Sequence, residues 1–169
     1  MVTLILRLVH ILLGVFWAGA VFMIALFIQP AIAASGPEGG KVMGALVKRR
    51  LLNFVPGAAL GTILSGVWLL SRDSSGFQGE WMHSRMGMAL YTGGLLALVG
   101  FLIGMFRMRA STLKAMALSE SAAQLTDAAA REAAMAQVQA LRHRAMLAGR
   151  TVAVLLALSV LTMAVARYL

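Results

Sequence analysis

Four stretches of this chain are each long and apolar enough to cross a bilayer as a helix, and that leaves few folds open. Spanning the hydrocarbon core takes about 20 apolar residues at 1.5 Å of rise each. The stretches run from about Leu8 to Ile28, Leu51 to Leu70, Met86 to Phe106 and Leu147 to Tyr168. The expected fold class is all-α, a transmembrane four-helix up-down bundle. Composition agrees: 60% of the 169 residues are hydrophobic and only 12% are charged, with a mean hydropathy of +0.85. A water-soluble domain of this length lacks the polar residues to cover such a core.

The segment boundaries carry their own signals. Gln29, Pro30 and the turn-rich ASGPEGG close the first helix, and Pro56 falls in the first turns of the second, where neighbouring helices can satisfy a freed carbonyl. The AIA at Ala31 to Ala33 resembles a signal-peptidase site, but the apolar region before it is longer than the 7–15 residues of a signal. An uncleaved first helix is therefore expected. Between Arg107 and Leu147 the sequence turns Ala-rich with spaced charges, all strong helix formers. Residues 107–146 thus extend helices three and four beyond the bilayer into a helical hairpin turning near SESAAQLTD, part of a single 1–169 domain.

Lys and Arg fix the expected orientation. Of the 15 such residues, the first and third loops hold Lys41, Lys48, Arg49, Arg50, Arg107, Arg109, Lys114, Arg131, Arg142, Arg144 and Arg150. Arg7, Arg72, Arg85 and Arg167 lie on the other side. The positive-inside rule puts the hairpin in the cytoplasm and both termini outside; in a bacterium this describes a multi-pass inner-membrane protein with periplasmic termini. A net charge of +9 without basic patches interleaved with aromatics suits anionic headgroups, not nucleic acid. The absence of cysteine excludes disulfides, thiolate zinc, iron–sulfur clusters and thioether-linked haem.

Topology then separates the three histidines. His10 opens helix one and His83 opens helix three on the same outer side, while His143 lies about 30 Å away at the far end of helix four. His143, in RHR, reads as a solvated residue. In an up-down bundle helices one and three are diagonal, and neighbouring axes 8–10 Å apart leave a diagonal gap of roughly 11–14 Å. That gap takes imidazole, metal and imidazole in line. A flat macrocycle between them also needs missing bulk at position i+4, and both histidines are followed there by glycine, Gly14 and Gly87. Trp17 and Tyr91 continue the same faces as an apolar wall, and Arg7, Arg72 and Arg85 lie where carboxylates such as propionates would emerge. Against this, glycine is common in membrane helices simply because it lets backbones approach.

The stretch RLVHILLGVFWAGAVFM resembles the first helix of the copper resistance D superfamily and of the related membrane protoporphyrinogen IX oxidases. WMHSRMG is similar to the oxidases' W-L-H-x-K-L motif at the start of helix three. The resemblance covers the membrane part and not the hairpin. It implies a haem b site with His10 and His83 as metal ligands. Two departures stand against the oxidase reaction itself: Arg85 replaces the functional lysine, and FIQPAI replaces a basic, Tyr- and His-containing stretch.

These readings lead to one preferred expectation and two alternatives. The first is an integral membrane b-type haem protein, an electron carrier or redox-coupled oxidoreductase subunit with an unidentified redox partner, because two axial histidines close the iron to oxygen. The second is a copper-binding or copper-transport protein using the same histidines with Met82, Met86 and Met88. The third is a cofactor-free accessory subunit of a larger membrane complex; a homo-oligomer fits any of the three.

Overall fold

Each of the four apolar stretches forms a long helix, and their lengths exceed what the hydropathy pattern alone requires. The computed structural model describes residues 1–169, apart from the side chain of Pro37. The helices are α1 (Val2–Ala34), α2 (Gly36–Lys48), α3 (Leu51–Asp73), α4 (Gly79–Met82), α5 (Arg85–Ala122) and α6 (Ala128–Tyr168). Of these, α1, α3, α5 and α6 are long and apolar enough to cross a membrane. No strand occurs among the described residues.

The long helices pack in a ring, α1 on α3, α3 on α5, α5 on α6 and α6 on α1. Polar contacts set their directions. Arg7 near the start of α1 pairs with Asp73 at the end of α3, 3.6 Å apart, and Arg109 in α5 donates to the Leu52 carbonyl at the start of α3, 3.1 Å away. Across the ring, Trp17 of α1 meets Phe101 of α5 edge to face with centroids 6.5 Å apart. This aromatic pair closes the centre, surrounded by Val21, Ala59, Ala97, Val152 and Leu156.

The interior is built largely from small residues, and the large aliphatics point outward. Leu12 and Val15 are each 69% exposed and Phe106 is 72% exposed, whereas Ala25 and Ala59 are 1% exposed. In water this arrangement would forfeit the hydrophobic driving force; in lipid, where tails are as apolar as leucine, close backbone approach decides packing instead. α5 and α6 approach closely at Gly93, where an added Cβ would fall 2.7 Å from Thr162 Oγ1 and 2.8 Å from Met163 Cγ. There the Ser159 hydroxyl of α6 donates to the Gly93 carbonyl at 2.7 Å.

Two local expectations give way. The first helix does not stop at Gln29 and Pro30: it continues to Ala34 through a widened π turn over Ile24–Ile28, directly ahead of the proline that lacks an N–H. Such a turn is a common way for a helix to absorb a local mismatch in its hydrogen-bond ladder. ASGPEGG is also mostly helix, since only Ser35 separates α1 from α2. Gly36 takes the left-handed φ of 56° there, and Gly39 packs directly against the Ile32 carbonyl, an approach that any side chain would block.

Beyond the membrane-length cores, α5 and α6 stay paired, burying Ala115, Ala122, Val138 and Ala145. The chain reverses between Ala122 and Ala128, and Asp127 caps α6 by accepting from the N–H groups of Ala129 and Ala130, 3.1 and 3.4 Å away. Loss of such a cap costs about 1 kcal/mol. For Asp127→Ala we expect faster hydrogen–deuterium exchange confined to the first turns of α6, with exchange around Gly93 and Ser159 unchanged.

Candidate functional site

His10 is placed by the sequence of α3 as much as by its own. The half-buried ring turns onto α3, with Nδ1 2.8 Å from the Thr62 carbonyl oxygen and 3.4 Å from Ser65 Oγ. That surface is open because residue 66 is glycine: a Cβ there would come within 2.8 Å of His10 Cε1. The hydroxyls nearby are already committed, Thr62 Oγ1 donating to the Ala58 carbonyl at 2.8 Å and Ser65 Oγ to the Gly61 carbonyl at 2.6 Å. A carbonyl oxygen only accepts, so Nδ1 carries a proton, and the neutral tautomer with that proton would keep its lone pair on Nε2. Among the described residues Nε2 has no hydrogen-bond partner.

The same α1–α3 contact uses Gly14. A Cβ on Gly14 would lie 3.4 Å from the Thr62 methyl, and Leu13 packs over Gly61. The gap one turn below His10 therefore opens onto α3. Trp17 is buried in the centre, about 10 Å along the helix from His10 at 1.5 Å per residue.

His83 sits in a different setting at the same end of the helices. The end of α3 lies beside the start of α1, and a short loop and α4 lead from Asp73 to His83, the exposed residue that closes α4. Ser84 then caps α5, accepting from the Gly87 N–H at 3.0 Å while its hydroxyl donates to the Trp81 carbonyl at 2.6 Å. The space beside Gly87 is taken by that Trp81 carbonyl. Tyr91 and Arg85 are exposed. Of the other two cations expected beside propionates, Arg7 faces Asp73 and Arg72 lies 5.6 Å from the Trp68 ring centroid. His143 is exposed on the distant hairpin.

Sequence reasoning missed Thr62, Ser65 and Gly66. Their signal was present as hydroxyl and glycine residues three and four apart in an otherwise apolar segment, which places them on one helix face. It also missed Gln29, which is buried with its Oε1 lacking a protein partner, beside Gly149 and Met108.

Two of the cavities among the described residues lie away from the histidines. One of about 60 Å³ lies among Trp17, Val21, Phe101, Met105 and Arg109, with room for roughly two waters and none for a macrocycle. The other, about 520 Å³, opens between α5 and α6. Chemically, the most defined group is His10, because an imidazole fixed through Nδ1 is pre-set to bind a metal through Nε2. In comparisons with protein-family models, curated proteins and solved structures, the chain matches none of them.

Proposed function

We propose that this chain is a four-helix up-down bundle of the bacterial inner membrane that holds one haem b near its periplasmic face. In this reading both termini are periplasmic and the 107–146 hairpin is cytoplasmic, following the distribution of Lys and Arg. His10 and His83 would hold the haem iron, and the role is electron transfer or redox coupling to an unidentified partner protein.

The supporting observation is the bond from His10 Nδ1 to the Thr62 carbonyl. A metal-bound histidine commonly donates its other ring N–H to a backbone carbonyl or a carboxylate, which fixes the tautomer and orients the ligand. An intramembrane histidine with this arrangement fits an axial ligand. His83 supplies a second imidazole at the same end, and Arg85 beside it is free of ion pairing among the described residues. Of the three cations expected at propionates, Arg85 is thus the most available, since Arg7 and Arg72 are already engaged. Bound haem would supply a one-electron couple; the protein's part is to set ligation, exclude water and orient the edge toward a partner.

The absorption spectrum of detergent-purified protein made with ample haem tests this. A Soret band with about one haem per chain is expected; stoichiometric copper without porphyrin, or no cofactor at all, overturns the proposal.

A further inference from the structure

The larger cavity has a chemistry that the haem reading leaves unused. It lies in the groove between α5 and α6 and is about 520 Å³ in volume. Arg107, Ser111 and Lys114 on α5 are spaced four and three residues apart, and so line one face of that helix. Across the groove, Arg144, Leu147, Ala148 and Thr151 do the same on α6. Three cations and two hydroxyls therefore edge one opening.

No carboxylate lines this groove, and among the described residues neither ion pair involves Arg107, Lys114 or Arg144. Three like charges converging on one cavity repel each other unless an anion joins them. The groove is also two-faced. Arg107 and Lys114 stand just beyond the apolar part of α5, while Ile103, Phe106 and Leu147 continue the lining toward the apolar cores of the two helices. Phe106 and Leu147 are 72% and 48% exposed there, apolar surface directly adjoining the cations.

A ligand satisfying both halves carries phosphate-type negative charge at one end and hydrocarbon at the other. We infer that the α5–α6 groove is a binding site for an anionic phospholipid. Its phosphate is held by Arg107, Lys114 and Arg144, and its acyl chains lie along Ile103, Phe106 and Leu147. Basic pockets between membrane helices at the cytoplasmic boundary suit such headgroups, and arginine forks pair with phosphate oxygens. The inference depends on the four helices spanning a bilayer and is independent of whether haem is bound.

The test is native mass spectrometry of the full-length protein released from phosphatidylglycerol or phosphatidylcholine nanodiscs, with inorganic phosphate added as a competitor. Wild type should retain phosphatidylglycerol and not phosphatidylcholine, and millimolar phosphate should not displace it. Each cation near an anionic surface contributes about fivefold in binding, so Arg107→Ala with Lys114→Ala and Arg144→Ala should lower retention roughly a hundredfold. The charge-conserving Arg107→Lys with Arg144→Lys should retain most of it, and circular dichroism should report the same helix content for all. Equal retention of the two lipids overturns the inference, as does full retention by the triple alanine variant. Displacement by inorganic phosphate alone overturns it in favour of a soluble anion. None of these outcomes touches the Soret band, so failure here is distinct from failure of the haem proposal.

Discussion

His10→Ala is expected to abolish the Soret band, and His83→Ala to abolish it or convert it to a five-coordinate spectrum, while His143→Ala leaves it unchanged. The contrast follows from position. His10 is tied to Thr62 and carries a free Nε2, His83 lies at the same end, and His143 is exposed on the hairpin. Loss of a folded structure does not explain such a result for His10. An interhelical hydrogen bond within a membrane is worth about 0.6 kcal/mol and rarely more than about 1.7. The variant should therefore keep its helix content by circular dichroism and its elution volume. His10→Met adds a readout that a purely structural role would not move, because a thioether ligand keeps the iron but raises its reduction potential. Gly66→Ala gives the graded version. Its new Cβ would stand 2.8 Å from His10 Cε1 and push the ring off the Thr62 carbonyl, with weakened or shifted haem absorption as the outcome. A wild-type spectrum in His10→Ala would end the ligand assignment.

A large effect on stability is expected at Gly93. A leucine there must displace Thr162, Met163 and the Ser159 carbonyl, and the last of these, only 3.1 Å from an added Cβ, is backbone that cannot rotate away. Overpacking of this kind costs about 1–3 kcal/mol, and separating the helices also breaks the Ser159 bond to the Gly93 carbonyl. Its neighbour Gly94 has nothing within 4 Å of an added Cβ, so Gly94→Leu should fall within about 0.5 kcal/mol of wild type. Unfolding by sodium dodecyl sulfate in mixed micelles, followed by circular dichroism, measures both. Equal midpoints for the two variants would contradict close packing of α5 on α6 at this level.

The particular residues show where the sequence was informative. The four long helices were legible because apolar length is a one-dimensional property that needs no knowledge of neighbours. α2 was not: its glycines at positions 36, 39 and 40, with Pro37, read as a turn, yet Pro37 falls in the helix's first turn, where a missing N–H costs no internal bond. The site was legible by half. Depth along a helix can be counted, so His10 and His83 could be assigned to one end. Which helix His10 turns toward cannot be counted, because that depends on where the small residues of a second helix fall. Gly66 and Thr62 decide it, and nothing at positions 10 to 14 announces them. Gly87 shows the same limit, since its role in receiving the Trp81 carbonyl belongs to the local turn Ser84 organises and was hidden behind its likeness to Gly14.

The outward placement of the large aliphatics and the inward placement of alanine and glycine also bear on how this sequence can drift. Residues such as Leu12, Val15 and Val154 face outward from the bundle, and where lipid covers them it accepts any apolar shape, so exchange among leucine, isoleucine, valine and phenylalanine is expected to be nearly free there. Ala59, Gly93, Ala97 and Ala153 meet a neighbouring helix and have no larger substitute. The memory of this fold across divergence is therefore held in its smallest side chains, the reverse of a water-soluble protein, whose large core residues carry it.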